Sequence, residues 1–297
     1  MKKNYKSILL LVSLLFLFFF YLFHSELLVK ETISYSTLFF HNIFPTSFIF
    51  ILLSYLLIEN NLFFYLQKIM KRKALYFYLV SLISGYPAGM IYLKEALINH
   101  EVTIKEANQY SMFSHFPNPI FVLYHCNKLF SHSIYSIIFY GIIITSQLII
   151  YLMIPKEKSN HFRATKANNS FTASFQKVLL KTMSVLLIIY GTSIFFDLIS
   201  CIFLNYFTLP NYLYVWLNGT FDLTKGIMTS SILKSKKLQG ILLYYFIVFG
   251  SIPIHIQIKS ILTDTSISYR SFLKGRIIAF LLCSGCWIWI INSTTTI

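Results

Sequence analysis

Apolar residues in this chain come in runs and not in alternation. Residues 7–23, 36–58, 133–154, 178–204, 238–262 and 272–291 are near-continuous stretches of Leu, Ile, Val, Phe and Tyr. Each is at or close to the roughly 20 residues a helix needs to cross a hydrocarbon core ~30 Å thick. Such runs, without period-2 alternation, predict buried or lipid-facing helix. Three further segments are as apolar but broken: residues 74–98 at "SGYPAG", 106–130 at "HFPNPIF" and 211–233 at "NGTFDLTKG". Proline removes a helix hydrogen bond and glycine frees the backbone, so each break predicts a discontinuous helix. The alternative at "SGYPAG" is a proline kink inside an ordinary span.

The opening "MKKNYKSILLLVSLLFLFFFYLF" has the cationic start and apolar middle of a signal peptide, but the "HSELLVKE" after it offers no small-residue cleavage site. Residues 7–23 are therefore expected to stay as a short first span, with an external loop through residue 35.

Basic residues in short loops favour the cytoplasmic side. Lys2, Lys3 and Lys6 place the N-terminus inside, and the second span returns the chain inside at "KIMKRK". If 74–98 enters and leaves by one face as a re-entrant hairpin with its tip at 85–89, the linker "PKEKSNHFRATKANNS" also falls inside. If 211–233 is a second hairpin, entered from outside, then 19 of the 25 Lys and Arg lie inside. Residues 36–154 then read span, hairpin, Pro-interrupted span, span, and 178–291 read the same order from the opposite side. The expectation is an all-α polytopic membrane protein of inverted repeats of transmembrane helices with two re-entrant helical hairpins. Its parts are an N-terminal span and external loop (1–35), a first repeat (36–154), a basic cytoplasmic linker (155–177) and a second repeat (178–297). In transporters of this kind the broken helices meet near the midplane and line the binding site.

Composition agrees with the pattern. The 297 residues are 56% hydrophobic and only 12% charged, against about 25% charged in an average soluble domain. The net charge of +15 sits in loop clusters that orient spans, so no nucleic-acid partner is expected. Of the four cysteines, Cys283 and Cys286 form "CSGC" inside an apolar helix, where they pack as small hydrophobes. His115, His125 and His132 lack metal-ligand spacing. No phosphate loop, nucleophile elbow or paired hydrolytic carboxylates are present. The chain is therefore expected to be no enzyme and to need no cofactor or metal.

"SGYPAGM" followed by "LKEALINHEVTIKEANQYSMFSHFPNPIFV" resembles the pattern of the sporulation integral membrane protein YlbJ family, of the nucleoside-recognition or Gate domain group. "HNIFPTSFIFILLSYLL" upstream, "NGTFDLTKGI", and "FGSIPIHIQIKSIL" with "SYRSFLKGRII" are similar to its other signatures, in order. The resemblance spans roughly residues 36–291. It implies inverted Gate repeats and a role in spore formation. The matching positions are Ser84, Gly85, Pro87, Gly89, Pro119, Thr224, Gly226, His255 and Gln257. The chain departs from the family at His115 to Pro119, where an Asn-Asn-Ser-Gly-Pro run is usual, at Asp222, where Glu is usual, and at Ser251, where a second glycine is usual.

Ionisable groups inside a membrane are costly and point to function. Asp222, beside Asn218, Gly219 and Thr224, can accept hydrogen bonds from a solute or cycle a proton. It can equally cap its own half-helix. Asp197 is expected near a hydrated interface. His255 and Gln257 are donors if the helix unwinds at "SIPIH", with a structural histidine as the alternative. Asn118, between two prolines, has donors and an acceptor beside freed carbonyls. The substrate-binding set is thus Ser84, Gly85, Pro87, Gly89, Asn118, Asn218, Asp222, Thr224, His255 and Gln257. The expected function is a solute permease with a midplane site, and the alternative is a non-transporting scaffold for spore-envelope (cortex) assembly. The expected partners are the lipid bilayer and a small solute of unknown identity, with homo-oligomerisation left open. The expected location is the cell membrane, with the N-terminus cytoplasmic.

Overall fold

A computed structural model describes residues 2–60, 72–130, 133–155 and 171–293. Most of "KIMKRK" and of the linker "PKEKSNHFRATKANNS" lies outside the described residues. Those residues form helices and short connections, with no strand among them. Five helical stretches are long and apolar enough to cross a membrane: Ser25–Glu59, Ser133–Met153, Ser174–Tyr206, Lys236–Leu262 and Tyr269–Asn292. Their outer faces carry exposed Leu53, Leu152, Leu187, Leu281 and Trp289, as hydrocarbon contact requires. The chain is an all-α, multi-pass membrane protein.

α1 (Lys2–Phe23) contains a shorter apolar stretch, Ser7–Phe23. The expected external loop is not there. After His24 the chain turns straight into α2 (Ser25–Leu38), which continues through a π-helical turn (Phe39–Ile43) into α3 (Phe44–Glu59). The reason is a tertiary contact. Tyr35, Phe39 and Ile43 recur every fourth residue, so they share one helix face. They bury it against Ile189, Tyr190 and Ile194.

The first half continues with α4 (Lys73–Ser84) and α5 (Ala88–Ile98), a broken helix of α6 (Ile104–Tyr110) and α7 (Pro119–Leu129), and the long α8 (Ser133–Met153). The second half runs α9 (Phe171–Tyr206), the pair α10 (Asn211–Phe221) and α11 (Leu223–Thr229), a 3-10 turn, then α12 (Lys236–Tyr244), a π-helical turn (Tyr245–Phe249), α13 (Ile252–Leu262) and α14 (Tyr269–Ser293). Long helix, short pair, broken helix and long helix therefore follow each other in both halves. The halves meet where α3 packs on α9 and α8 on α14.

Glycine allows both short pairs to fold back on themselves. Gly85 ends α4 at φ +64°, a backbone region that disfavours side chains. A Cβ on Gly89 would come within 3.2 Å of Ser81 on the other arm. In the second pair, a Cβ on Gly226 would collide with the backbone of Gly219. The Tyr76 and Tyr92 hydroxyls are hydrogen-bonded across the first pair.

Polar contacts sort the helix termini into two ends of the bundle. At one end Lys177 pairs with Glu59, Lys181 with Glu95 at 2.8 Å, Lys73 with Glu106 at 3.5 Å and Lys94 with Asp264 at 3.8 Å. Lys73 begins α4 and Lys94 and Glu95 lie in the last turns of α5, so the first pair returns to the end where it began. At the other end, His24 meets Tyr206 at 3.1 Å and Lys236 donates to the Leu129 carbonyl at 3.3 Å. Buried aromatics fill the interior between, among them Phe77, Phe113, Phe116, Phe139, Phe246, Phe272 and Trp287.

Candidate functional site

Both broken helices restart with proline in the first turn, where its missing N–H costs nothing. α7 begins at Pro119 behind Asn118, whose Oδ1 accepts from the Ile120 N–H at 2.9 Å. α13 begins behind Gly250 (φ +96°) and Ser251, with Pro253 in its first turn. The tip of the first pair is Gly85, Tyr86 and Pro87. At the second tip Asp222, in an extended conformation, caps α11.

These four breaks converge on one cavity of about 50 Å³. The tips contribute Tyr86 on one side and Asp222, Leu223 and Thr224 on the other. The broken helices contribute Asn118 and Phe121 from α7, Ser251 from the break, and Ile254 and Gln257 from α13. The first long helices add Ile43 and Ser47, and Ile189 and Ser193.

The two halves use matching polar ties around this space. Asn118 Nδ2 donates to the Thr46 carbonyl at 2.9 Å, and Gln257 Nε2 donates to Thr192 Oγ1 at 2.7 Å. Each amide thus ties a broken helix to the first long helix of its own half, one residue before a cavity serine. Asp222 is 3% exposed. Its Oδ1 accepts from the Lys225 N–H at 2.7 Å and its Oδ2 from the Tyr35 hydroxyl at 2.8 Å. Asp222 caps α11, one of its two sequence alternatives, and the same side chain also lines the cavity.

Of the ten expected site residues, Asn118, Asp222, Thr224 and Gln257 line the cavity. The others shape it or lie behind it. Ser84 donates to the Val80 carbonyl in its own helix at 2.8 Å. Gly85 and Pro87 belong to the first tip, with Tyr86 and Pro87 joined by a cis peptide, and Gly89 lies in the first turn of α5 against Ser81. Asn218 is fully buried and donates to the Tyr214 carbonyl at 2.9 Å, while its Oδ1 has no partner. His255 bridges the Tyr269 hydroxyl at 2.9 Å and the Phe249 carbonyl at 3.2 Å.

Asp197 needs correction. It is 1% exposed and pairs with Lys225 Nζ at 2.7 Å, while Glu31 approaches the same ammonium at 3.7 Å. A buried carboxylate is stable only when paired, and α11 carries the partner back onto α9. Arg276, on α14, is 1% exposed inside the bundle. Tyr86, Ser47, Ser193, Ser251, Tyr35 and Lys225 also escaped the sequence reading. Tyr86, Ser251 and Lys225 carried a signal, since each sits inside a noted break.

No group of three or more His, Cys, Asp or Glu among the described residues could hold a metal ion. Comparisons with protein-family models, characterised proteins and solved structures found no match.

Proposed function

We propose that this protein is a solute permease of the inverted-repeat type, with its N-terminus in the cytoplasm and its two short helix pairs acting as re-entrant hairpins. One observation carries the reading: both tips, both broken helices and both first long helices contribute to a single cavity, and eight of its thirteen lining side chains are polar (Ser47, Tyr86, Asn118, Ser193, Asp222, Thr224, Ser251 and Gln257). Burying polar groups is costly unless each is hydrogen-bonded, so a fold kept only for support gains nothing from gathering them there.

At about 50 Å³ the cavity holds a few waters, far below the roughly 300–1,000 Å³ of a small-molecule pocket. The permease reading takes this as an occluded conformer whose tips part to admit solute. The first tip, which rests on the Tyr86–His115 stack, is the part that moves, while the Tyr35–Asp222 hydrogen bond and the Lys225–Asp197 pair hold the second. The scaffold reading draws on the same small volume. The resemblance to sporulation membrane proteins suggests the cell type for either role.

A solute-independent test separates them. With Cys126, Cys201, Cys283 and Cys286 replaced, Ser193→Cys is exposed to a membrane-impermeant thiol reagent in right-side-out and then inside-out vesicles. Alternating access gives labelling from both sides. Protection on both sides, at normal abundance, supports the scaffold.

A further inference from the structure

Behind Tyr86 the bundle buries a cation with no described carboxylate beside it. Arg276, in the second turn of α14, is 1% exposed, and its Nη1 donates to the Val248 carbonyl at 3.2 Å. That bond satisfies a carbonyl freed where the broken helix opens before Gly250. Nε and Nη2 have no partner. The ion pairs among the described residues all involve lysines. Asp222, the acid lining the cavity, is already held by Tyr35 and Lys225.

His115 flanks the same place. It is fully buried and both ring nitrogens lack a partner. Its ring meets Phe272 at 5.2 Å between centroids, and the Arg276 guanidinium carbon lies 6.0 Å from that same ring. Tyr86 stacks on His115 at 4.5 Å with the planes 6° apart, and Tyr86 also lines the cavity. One aromatic ring thus divides the cavity from a buried cation and an unpartnered histidine.

Burying a charge without a counter-charge is among the most costly arrangements in a protein interior, and inside a membrane such a group points to function. The pattern of free donors identifies the missing partner. Nε and Nη2 form one edge of the planar guanidinium, with two parallel N–H groups that match the two oxygens of a carboxylate. A halide would use only part of that edge, and a dianion would overcompensate a single charge.

We propose that Arg276, with His115 as a second donor and Tyr86 as the movable partition, forms a binding site for a small monocarboxylate entering from the cavity. The solute of the permease is then a small carboxylate or a molecule that carries one. That assignment of the solute rests on the permease reading, whereas the binding site does not.

The test uses the purified full-length protein in detergent. Its unfolding midpoint is followed while sodium formate, acetate, pyruvate or benzoate is added, against sodium chloride at equal ionic strength. At least one carboxylate should raise the midpoint saturably beyond chloride. Arg276→Gln should weaken its apparent affinity by roughly tenfold or more, as losing a charge-assisted hydrogen-bond pair does. Exposed Lys274→Gln should leave it unchanged. If Arg276→Gln fails to fold, Arg276→Lys keeps the charge without the two-donor edge and should lose the preference for carboxylate over chloride. His115→Ala should weaken binding less than either.

The proposal is overturned if no carboxylate in the panel acts beyond chloride, or if binding survives at wild-type affinity in Arg276→Lys and His115→Ala. Uptake of the stabilising carboxylate into proteoliposomes keeps the two readings apart. Arg276-dependent binding without uptake upholds the site and counts against the permease. Two-sided labelling of Ser193→Cys without carboxylate binding upholds the permease and removes the site.

Discussion

The two helix-pair tips hold the same place in the order of elements but are built from opposite chemistry. The first, at Gly85, Tyr86 and Pro87, contains no charge. It rests on backbone shape, on the Tyr86 N–H donating to the Phe116 carbonyl at 2.7 Å, and on the Tyr86–His115 stack. The second, at Asp222 to Lys225, is tied by ions and charge-assisted hydrogen bonds to α2 and α9: Asp222 to Tyr35, and Lys225 to Asp197 and Glu31. Aromatic stacking is weak and slides, whereas a buried ion pair is costly to separate. The comparison assigns motion to the first tip and anchorage to the second.

Removing the anchor is the severest way to break this contrast. Lys225→Met leaves Asp197 buried without its partner and should cost about 3 kcal/mol, read as a loss of abundance and a lower unfolding midpoint in detergent. Adding Asp197→Leu should restore much of it, because an apolar pair avoids the desolvation cost. No loss of abundance or midpoint in Lys225→Met alone would contradict the anchoring role.

A smaller effect compares the two glycine contacts. Gly226→Ala drives a methyl into the Gly219 backbone, and overpacking of that kind costs about 1–3 kcal/mol. Gly89→Ala meets Ser81 at 3.2 Å, a contact relieved by a few tenths of an ångström. The second tip should therefore tolerate its substitution less well. Equal unfolding midpoints for the two variants would remove the difference in rigidity.

The smallest structural effect belongs to Asp222→Asn. Asparagine caps nearly as well as aspartate, and its Nδ2 can donate to the Tyr35 hydroxyl where the carboxylate accepted from it, so abundance should hold. Asp222→Ala should lose about 0.5–2 kcal/mol through the cap. If the carboxylate's charge serves transport, uptake falls in the Asn variant at normal abundance. Full activity there would confine Asp222 to capping.

What was legible in the sequence follows from local physics. Proline, glycine and uninterrupted apolarity act within a few residues, so all three breaks and most long helices could be read, as could Asn118, Asp222, Thr224 and Gln257 beside the breaks. The rest depends on partners far along the chain. Glu26, Lys30 and Glu31 made residues 24–35 look like a loop, yet burial of Tyr35 against α9 keeps them helical. Asp197 finds Lys225 only because α11 folds back. Ser47 and Ser193 are indistinguishable in sequence from Ser54, which lies in the same kind of apolar run but bonds the Phe50 and Ile83 carbonyls at 2.7 Å. Arg276 follows Arg270 and Lys274 closely enough to pass as one more charge at a membrane edge.

The central claim is that each short helix pair dips in and returns to the side it came from, in opposite senses in the two halves. Single cysteines at Asn60 and His100 bracket the first pair, and cysteines at Thr208 and Lys234 bracket the second. Labelling each in a cysteine-free protein with an impermeant reagent, in intact cells and in inside-out vesicles, reads the topology directly. The expected result is Asn60→Cys and His100→Cys reactive only from the cytoplasm, and Thr208→Cys and Lys234→Cys only from outside. Opposite sidedness within either bracket would make that pair a spanning segment and contradict the inverted arrangement.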